Sequence, residues 1–302
     1  WEKLTDTDKT ELSKNELSPY TEYQFKVRAY TEGQSVPSDF SNPVIVKTAL
    51  QGVEVGVQVT KCTSSMVYIG WTISAKAASY KLEVSANGKD NWEEVKTEQP
   101  LVNPTDGSKM CVYQYEGLAP STSRFFRVSA VNGTDSSEVS KATEAKTAPA
   151  PVEEIKTTLS DTSIRVAWKK NTNVKNYIVQ IQKPGSSEWL SSADLISAAL
   201  FTLDNNNATA TIKGLAQHSD YSIRVIAYEV FRSERLCSTP SEISAKTLLS
   251  APSNFKITGQ TTTSVSFSWS ANSNAGVNGY DIEMSENGTT GWTSVLSVDS
   301  KT

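Results

Sequence analysis

A chain of 302 residues and 32.9 kDa, 37% hydrophobic and 21% charged, holds enough apolar material for two or three packed domains and is not a disordered tail. A net charge of −4 and a pI near 5.3 argue against a broad nucleic-acid footprint, which needs clustered Lys and Arg. One histidine (His218) and three cysteines (Cys62, Cys111, Cys237) leave too small an inventory for a metal site or a Cys/His nucleophile, so no catalytic, cofactor-binding or metal-binding residue is expected.

The chain repeats itself with a period of about 100 residues. Lys47-Thr48, Lys146-Thr147 and Lys246-Thr247 mark it, as do Trp71, Trp168 and Trp269, and Leu17, Leu118 and Leu215. That period is the size of a small domain. In chain order, Tyr23, Phe25, Val27 and Ala29 alternate first. Val67, Ile69 and Trp71 follow, then Tyr80, Leu82 and Val84. The third copy has Ile164, Val166 and Trp168, then Tyr177, Val179 and Ile181, and later Tyr221, Ile223, Val225 and Ala227. The last has Val265, Phe267 and Trp269, then Tyr280, Ile282 and Met284. Period-two alternation predicts strands with one buried face. Turn signals separate them: Ala86-Asn87-Gly88, Lys183-Pro184-Gly185 and Glu286-Asn287-Gly288. Asn-Gly predicts a tight hairpin. Short strands, frequent turns and no long amphipathic helix predict an all-β sandwich or barrel.

These residues resemble the fibronectin type III family over nearly the whole chain. The early Trp, the following Tyr and a further Trp (Trp92, Trp189, Trp292) recur in register. The pattern Leu17, Pro19, Thr21, Tyr23, Phe25, Val27, Ala29 returns as Leu215, Tyr221, Ile223, Val225 and Ala227. The resemblance implies tandem seven-stranded antiparallel sandwiches in an elongated array. It also implies a structural core of Trp71, Trp168, Trp269, Tyr80, Tyr177 and Tyr280, with Tyr23 and Tyr221 as tyrosine corners whose hydroxyls bond back to backbone. The second copy departs: Arg124 stands at the corner. Either Phe125 shifts into that role or the corner is lost and the Arg124 stem covers apolar surface; the second is favoured.

The expected divisions are 1–50, the C-terminal half of a module; 51–148 and 149–248, two whole modules; and 249–302, the N-terminal half of another. Short linkers, two containing proline, predict semi-rigid joints. Trp1 aligns with Trp92 and Trp189, so both ends fall inside a repeat. A window on a longer chain is the favoured explanation; completion of each half by a neighbouring molecule is the other.

Three sequons place candidate N-glycosylation at Asn132, Asn207 and Asn287, in or beside loops. Cys62 and Cys111 are expected near opposite ends of a sandwich, roughly 20 Å apart and beyond the ~7 Å limit of a disulfide, with Cys111 a small buried hydrophobe. His218 reads as a turn residue. The pairs Glu93-Glu94 and Glu153-Glu154 are expected to point to opposite faces and so not to converge. Trp92 and Trp189 read as packing rather than sugar-stacking residues.

The expected function is a non-catalytic structural or adhesive segment, extracellular or at the cell surface: a spacer, fibre or binding rod. Its partner is a protein or glycan on a cell surface or in a matrix, or copies of itself in a fibre, with no nucleic acid and no membrane span. The alternatives are the accessory array of a secreted carbohydrate-active enzyme, a receptor ectodomain, or a cytoplasmic cytoskeletal array. All of these rest on fold analogy.

Overall fold

The computed structural model describes all residues except 1–3, 6, 32, 34–35, 195–196, 273–276 and 300–302. Trp1 therefore lies outside the described residues. The chain divides into two compact units, 1–148 with 230–236, and 149–229 with 237–302. Apart from single 3-10 turns at Val59–Lys61 and Ala198–Leu200, all regular structure among the described residues is β.

In the first unit, β1 (Glu22–Phe25) and β2 (Val44–Lys47) form an antiparallel ribbon. A sandwich follows. One sheet has the order β3 (Val55–Val57), β4 (Val67–Thr72), β7 (Met110–Tyr115). Between them in sequence lie β5 (Ser79–Ser85) and β6 (Glu93–Glu94) of the second sheet. That sheet adds β8 (Ser123–Asn132), β9 (Asp135–Ser136) and β10 (Thr143–Lys146) and runs β10-β8-β5-β6, with β9 paired to β8.

The second unit repeats the plan. Its first sheet is β11 (Glu153–Leu159), β12 (Ser163–Lys169), β16 (Thr209–Lys213) and β15 (Phe201–Asp204), in that order. Facing it are β14 (Trp189–Ser191), β13 (Asn176–Gln182) and β17 (Asp220–Phe231), with β19 (Ser241–Lys246) on β17 and β18 (Glu234–Cys237) continuing the order; residues 230–236 of β17 and β18 group with the first unit. Two ribbons close the chain: β20 (Ser253–Gln260) with β21 (Val265–Ser270), and β22 (Gly279–Met284) with β23 (Thr293–Asp299). Short added pairs, such as β9 against β8 and β15 against β16, take both sandwiches past seven strands.

Alternation sets what each strand buries. In β12, Ile164, Val166 and Trp168 face the core; in β17, Tyr221, Ile223, Val225 and Ala227 do. Registers pair large with small residues so that layers interlock. Tyr80 lies opposite Ala130, and Tyr177 opposite Ala227. Trp71 lies opposite Cys111, and the Trp168 N–H bonds Ala208 O at 3.1 Å, so Cys111 and Ala208 are equivalent small neighbours of an indole. Trp71 is fully buried, and Trp168, Tyr80, Tyr177 and Tyr221 are buried.

Tyr23, Trp269 and Tyr280 are not core residues as expected; they are half-buried. Tyr23 sits in the two-stranded β1–β2 ribbon, and Trp269 and Tyr280 sit in two separate two-stranded ribbons that meet through their rings, 5.3 Å apart. Their neighbours stay open: Val44 is 65% exposed, Phe255 58% and Ile257 61%.

The Asn87-Gly88 turn also differs from expectation. A two-residue hairpin of that kind needs positive φ at both residues. Here Gly88 has φ 72° and Asn91 φ 49°, while Asn87 is not among the residues with positive φ. The Asn87 side chain instead accepts from the N–H groups of Lys89 (2.9 Å) and Asp90 (3.1 Å), an Asx turn. Asn287 does the same for Thr289 and Thr290, both at 2.9 Å.

Candidate functional site

The sequence landmarks are a hydrogen-bonded framework repeated along the chain. Each early Trp meets the next Tyr edge to face, with centroids 5.6, 5.1 and 5.3 Å apart for Trp71–Tyr80, Trp168–Tyr177 and Trp269–Tyr280. Each of these tyrosine hydroxyls accepts a backbone N–H, from Ser74 (2.7 Å), Asn171 (3.0 Å) and Asn272 (2.7 Å). The corner hydroxyls do likewise: Tyr23 from Ser18 N–H and Tyr221 from Ala216 N–H, both at 2.9 Å. Arg124 makes no such corner. Its guanidinium turns back to Ser123 O at 2.9 Å, and the residue is half-buried along the strand.

The Lys-Thr landmark has a physical role. Thr48, Thr147 and Thr247 accept the N–H groups of Thr21, Thr122 and Ser219 at 2.9, 2.8 and 3.0 Å. Each donates to Ser18 O, Ala119 O or Ala216 O at 2.7 Å. The threonine clasps the corner turn shut. Tyr20, Ser121 and His218 occupy that turn with φ near 50°, and their N–H groups bond Ala49 O, Ala148 O and Leu248 O. His218 is therefore a turn residue.

A serine motif lies outside the apolar alternation. Ser38, Ser137 and Ser238 each exchange two bonds with the backbone of Ala29, Ala130 and Ala227. Ser41 and Ser140, three residues after Ser38 and Ser137, repeat this with Val27 and Val128. The serine spacing was the available signal; it does not look like a strand because hydroxyls replace part of the ladder.

On the outer faces, Trp92 and Trp189 are half-buried beneath arginines. Arg127 lies over Trp92 at 4.2 Å and bonds Glu83 at 2.8 Å; Arg224 lies over Trp189 at 4.1 Å and bonds Gln180 at 2.5 Å. Burial pushes the Glu83 carboxyl up, but Lys81 and Arg127 outweigh it and hold the carboxyl below its usual value. Glu153 and Glu154 correct the expectation that they diverge: both reach Lys169, at 3.2 and 3.4 Å. A bulge in β11, with Glu154 at φ 54°, turns them to one side. Both carboxylates are exposed and share one ammonium, a surface ion cluster rather than an acid–base pair.

The sequons differ in setting. Asn132 is half-buried and donates from Nδ2 to Lys76 O at 2.7 Å, while its carbonyl accepts from Tyr20 Oη at 3.3 Å. Asn207 and Asn287 are exposed turn residues, bonded to Asp204 (2.8 Å) and Thr290 (3.0 Å) through Nδ2.

A cleft of about 670 Å³ opens beside β7. Its lining includes Trp71 and Cys111, with Lys61 and Lys109 as its cationic residues. Behind it, Tyr80 Oη donates to Asn103 Oδ1, and Asn103 Nδ2 donates to Ser74 O at 3.0 Å. Burial raises the Cys111 and Cys62 thiols above their usual range, so both behave as small hydrophobes. Cys237 is exposed. Among the described residues, no group of three or more His, Cys, Asp or Glu is placed to hold a metal ion.

Residues 149–241 match the family model described as the fibronectin type III domain. The chain carries a fibronectin type III domain. The strands, edge-to-face Trp–Tyr pair and threonine clasp of that domain recur in the sandwich spanning β3 to β10. The overall architecture is all-β and built of fibronectin type III-like sandwiches. Similar solved structures include the chicken CNTN1 FN1-FN3 domains, at 20% identity and TM-score 0.38, covering 77% of this chain and 79% of that one. A two fibronectin type III domain segment from chicken tenascin has 20% identity and TM-score 0.33, covering 65% of this chain and all of that one (100%). No helix among the described residues is long and apolar enough to cross a membrane.

Proposed function

We propose that the chain is a non-catalytic structural or adhesive segment, extracellular or at a cell surface, built from modules at 1–50, 51–148, 149–248 and 249–302. Its work is spatial: it holds binding surfaces at set separations and meets a protein or glycan partner.

The observation that carries this reading is the hydrogen bonding around successive repeats inside each unit. In the second unit, Ser250 donates from its N–H to Gln217 Oε1 (2.9 Å) and from its hydroxyl to Asp161 Oδ2 (2.7 Å). Its carbonyl accepts from Asn272 Nδ2 at 2.8 Å. In the first unit, Lys47 bonds Asp135 at 3.3 Å and stacks 3.2 Å over Tyr20, whose hydroxyl also reaches Asp135 at 3.1 Å. Side chains spent on fixing neighbours suit a spacer.

The test is attachment of cells, matrix proteins and glycans to surfaces coated with the purified chain, run beside a panel of hydrolase substrates. Saturable capture without turnover is the expected result; turnover by the chain itself would refute the reading. In a secreting eukaryotic host, sugar is expected at Asn207 and Asn287 and not at Asn132, read as a mass shift removed by an amidase.

A further inference from the structure

In the second unit, β15 covers the edge of β16, pairing Phe201 to Asp204 antiparallel with Ile212 to Thr209. In the first unit, β7 ends its sheet. Among the described residues, no backbone group bonds its outer edge. The two strands share a register. Cys111 sits beside Trp71 as Ala208 sits beside Trp168, so Val112–Tyr115 stand where Thr209–Ile212 stand. These four positions are the ones a fourth strand would pair.

The chain leading into β7 does not supply that strand. Leu101 is drawn to the opposite sheet, where its carbonyl takes the Tyr80 N–H at 2.8 Å. Pro104 has no N–H to give, and Gly107 at φ 83° bends the chain away from an extended path. The cleft of about 670 Å³ lies at the start of β7 and takes in Val112, the first of the four pairing positions. Val102, Met110 and Val112 at its lip are 52%, 40% and 48% exposed. Lys109 lies at the end of β7 nearest Val112, and Lys61 rests over Tyr68 at 4.6 Å. The one carboxylate in the lining, Asp106, is occupied by the N–H of Ser108 at 2.9 Å.

We propose that the open edge of β7 is a docking site for an extended segment of a partner protein, added antiparallel as a fourth strand. The segment carries apolar residues at alternate positions and a carboxylate at its C-terminal end, the pattern of Phe201-Thr202-Leu203-Asp204 on the sister edge. Backbone groups of β7 supply the ladder, the alternate apolar side chains fall beside Tyr115 and Tyr113 on the core-facing side, and the carboxylate falls beside Val112, at the end of the strand where Lys109 lies. This proposal goes beyond the spacer or adhesive role and does not depend on it.

The probe is a fluorescent, end-blocked peptide of residues 199–205 (Ala-Leu-Phe-Thr-Leu-Asp-Asn), titrated into the full chain. The expected results are a saturable rise in anisotropy and slowed backbone exchange confined to 110–115. Methylating one alternate set of peptide amides should weaken binding at least about tenfold, while methylating the other set should not, because only one set faces the protein. Asp204→Lys in the peptide should weaken binding by a similar factor, and Lys109→Glu in the protein should restore that peptide. Lys109 is exposed, so this variant tests charge without disturbing packing. No saturation by 1 mM on the order of weak recognition, equal loss from both methylated sets, or slowed exchange elsewhere would overturn the proposal. So would a sedimenting dimer whose β7 exchange is slow without peptide, which would assign the edge to a second copy.

Discussion

Replacing Thr247 by valine keeps the size and branching of the side chain and removes only the hydroxyl. Thr247 is 2% exposed, and its oxygen accepts from Ser219 N–H at 3.0 Å while donating to Ala216 O at 2.7 Å. The substitution strips partners from two backbone groups in a dry turn, at about 1–2 kcal/mol each and so about 2–4 kcal/mol in total. Thr247→Ser keeps both bonds and loses one methyl, worth about 0.8 kcal/mol. Native-state hydrogen exchange by mass spectrometry reads the difference locally. The slowest amides of β13 and β17 should exchange roughly 30- to 900-fold faster in Thr247→Val, and only about fourfold faster in Thr247→Ser. Amides of β5, in the other unit, serve as the internal control. If valine cost no more than serine, the clasp would contribute nothing and the recurrence of Lys-Thr would need another cause.

Other perturbations test other parts of the framework. Gly88→Ala should destabilise the first sandwich by about 2–4 kcal/mol in denaturant melts, because its Cβ would fall 2.6 Å from the Phe125 ring and φ is 72°. Gly288→Ala, with nothing within 4 Å, should cost only the backbone strain of about 1–2 kcal/mol. Arg124→Tyr should stabilise the first sandwich by about 1 kcal/mol in the same melts, by giving the Ala119 N–H the acceptor that its counterparts at Ser18 and Ala216 have. The Glu83 carboxyl is held below its usual value, so its stabilising share is complete above the unfolded value near 4.3 and is lost as pH falls through the lower folded value. Melting curves from pH 7 to 3 should fall more steeply for the wild-type chain than for Glu83→Gln.

The strands were legible because their alternation is strong and the aromatic positions recur in register. Trp71, Trp168, Tyr80, Tyr177 and Tyr221 read clearly for that reason. Trp269 and Tyr280 carry the same pattern, yet alternation says which face is apolar and not whether anything covers it. Adjacent acids were misjudged at Glu153-Glu154 because a bulge breaks strict alternation, and nothing local to two glutamates announces a bulge. Asn87-Gly88 reads as a hairpin pair because Asn serves turns through its backbone and through its side chain alike, and the letters do not separate the two roles. The β7 edge was invisible: which strand ends a sheet depends on where Leu101 goes, a pairing with Tyr80 that is 21 positions distant.

The threonine clasp also bears on where a usable fragment stops. The family match ends at 241, before Thr247 closes the corner and before Leu248 donates its N–H to Ser160 O at 2.9 Å. A recombinant piece trimmed at 241 would lack most of β19 and the latch that holds both the turn and the entry loop. Carrying the C-terminus to 250 would restore them, so expression boundaries drawn from sequence matching alone would undercut the domain they were meant to isolate.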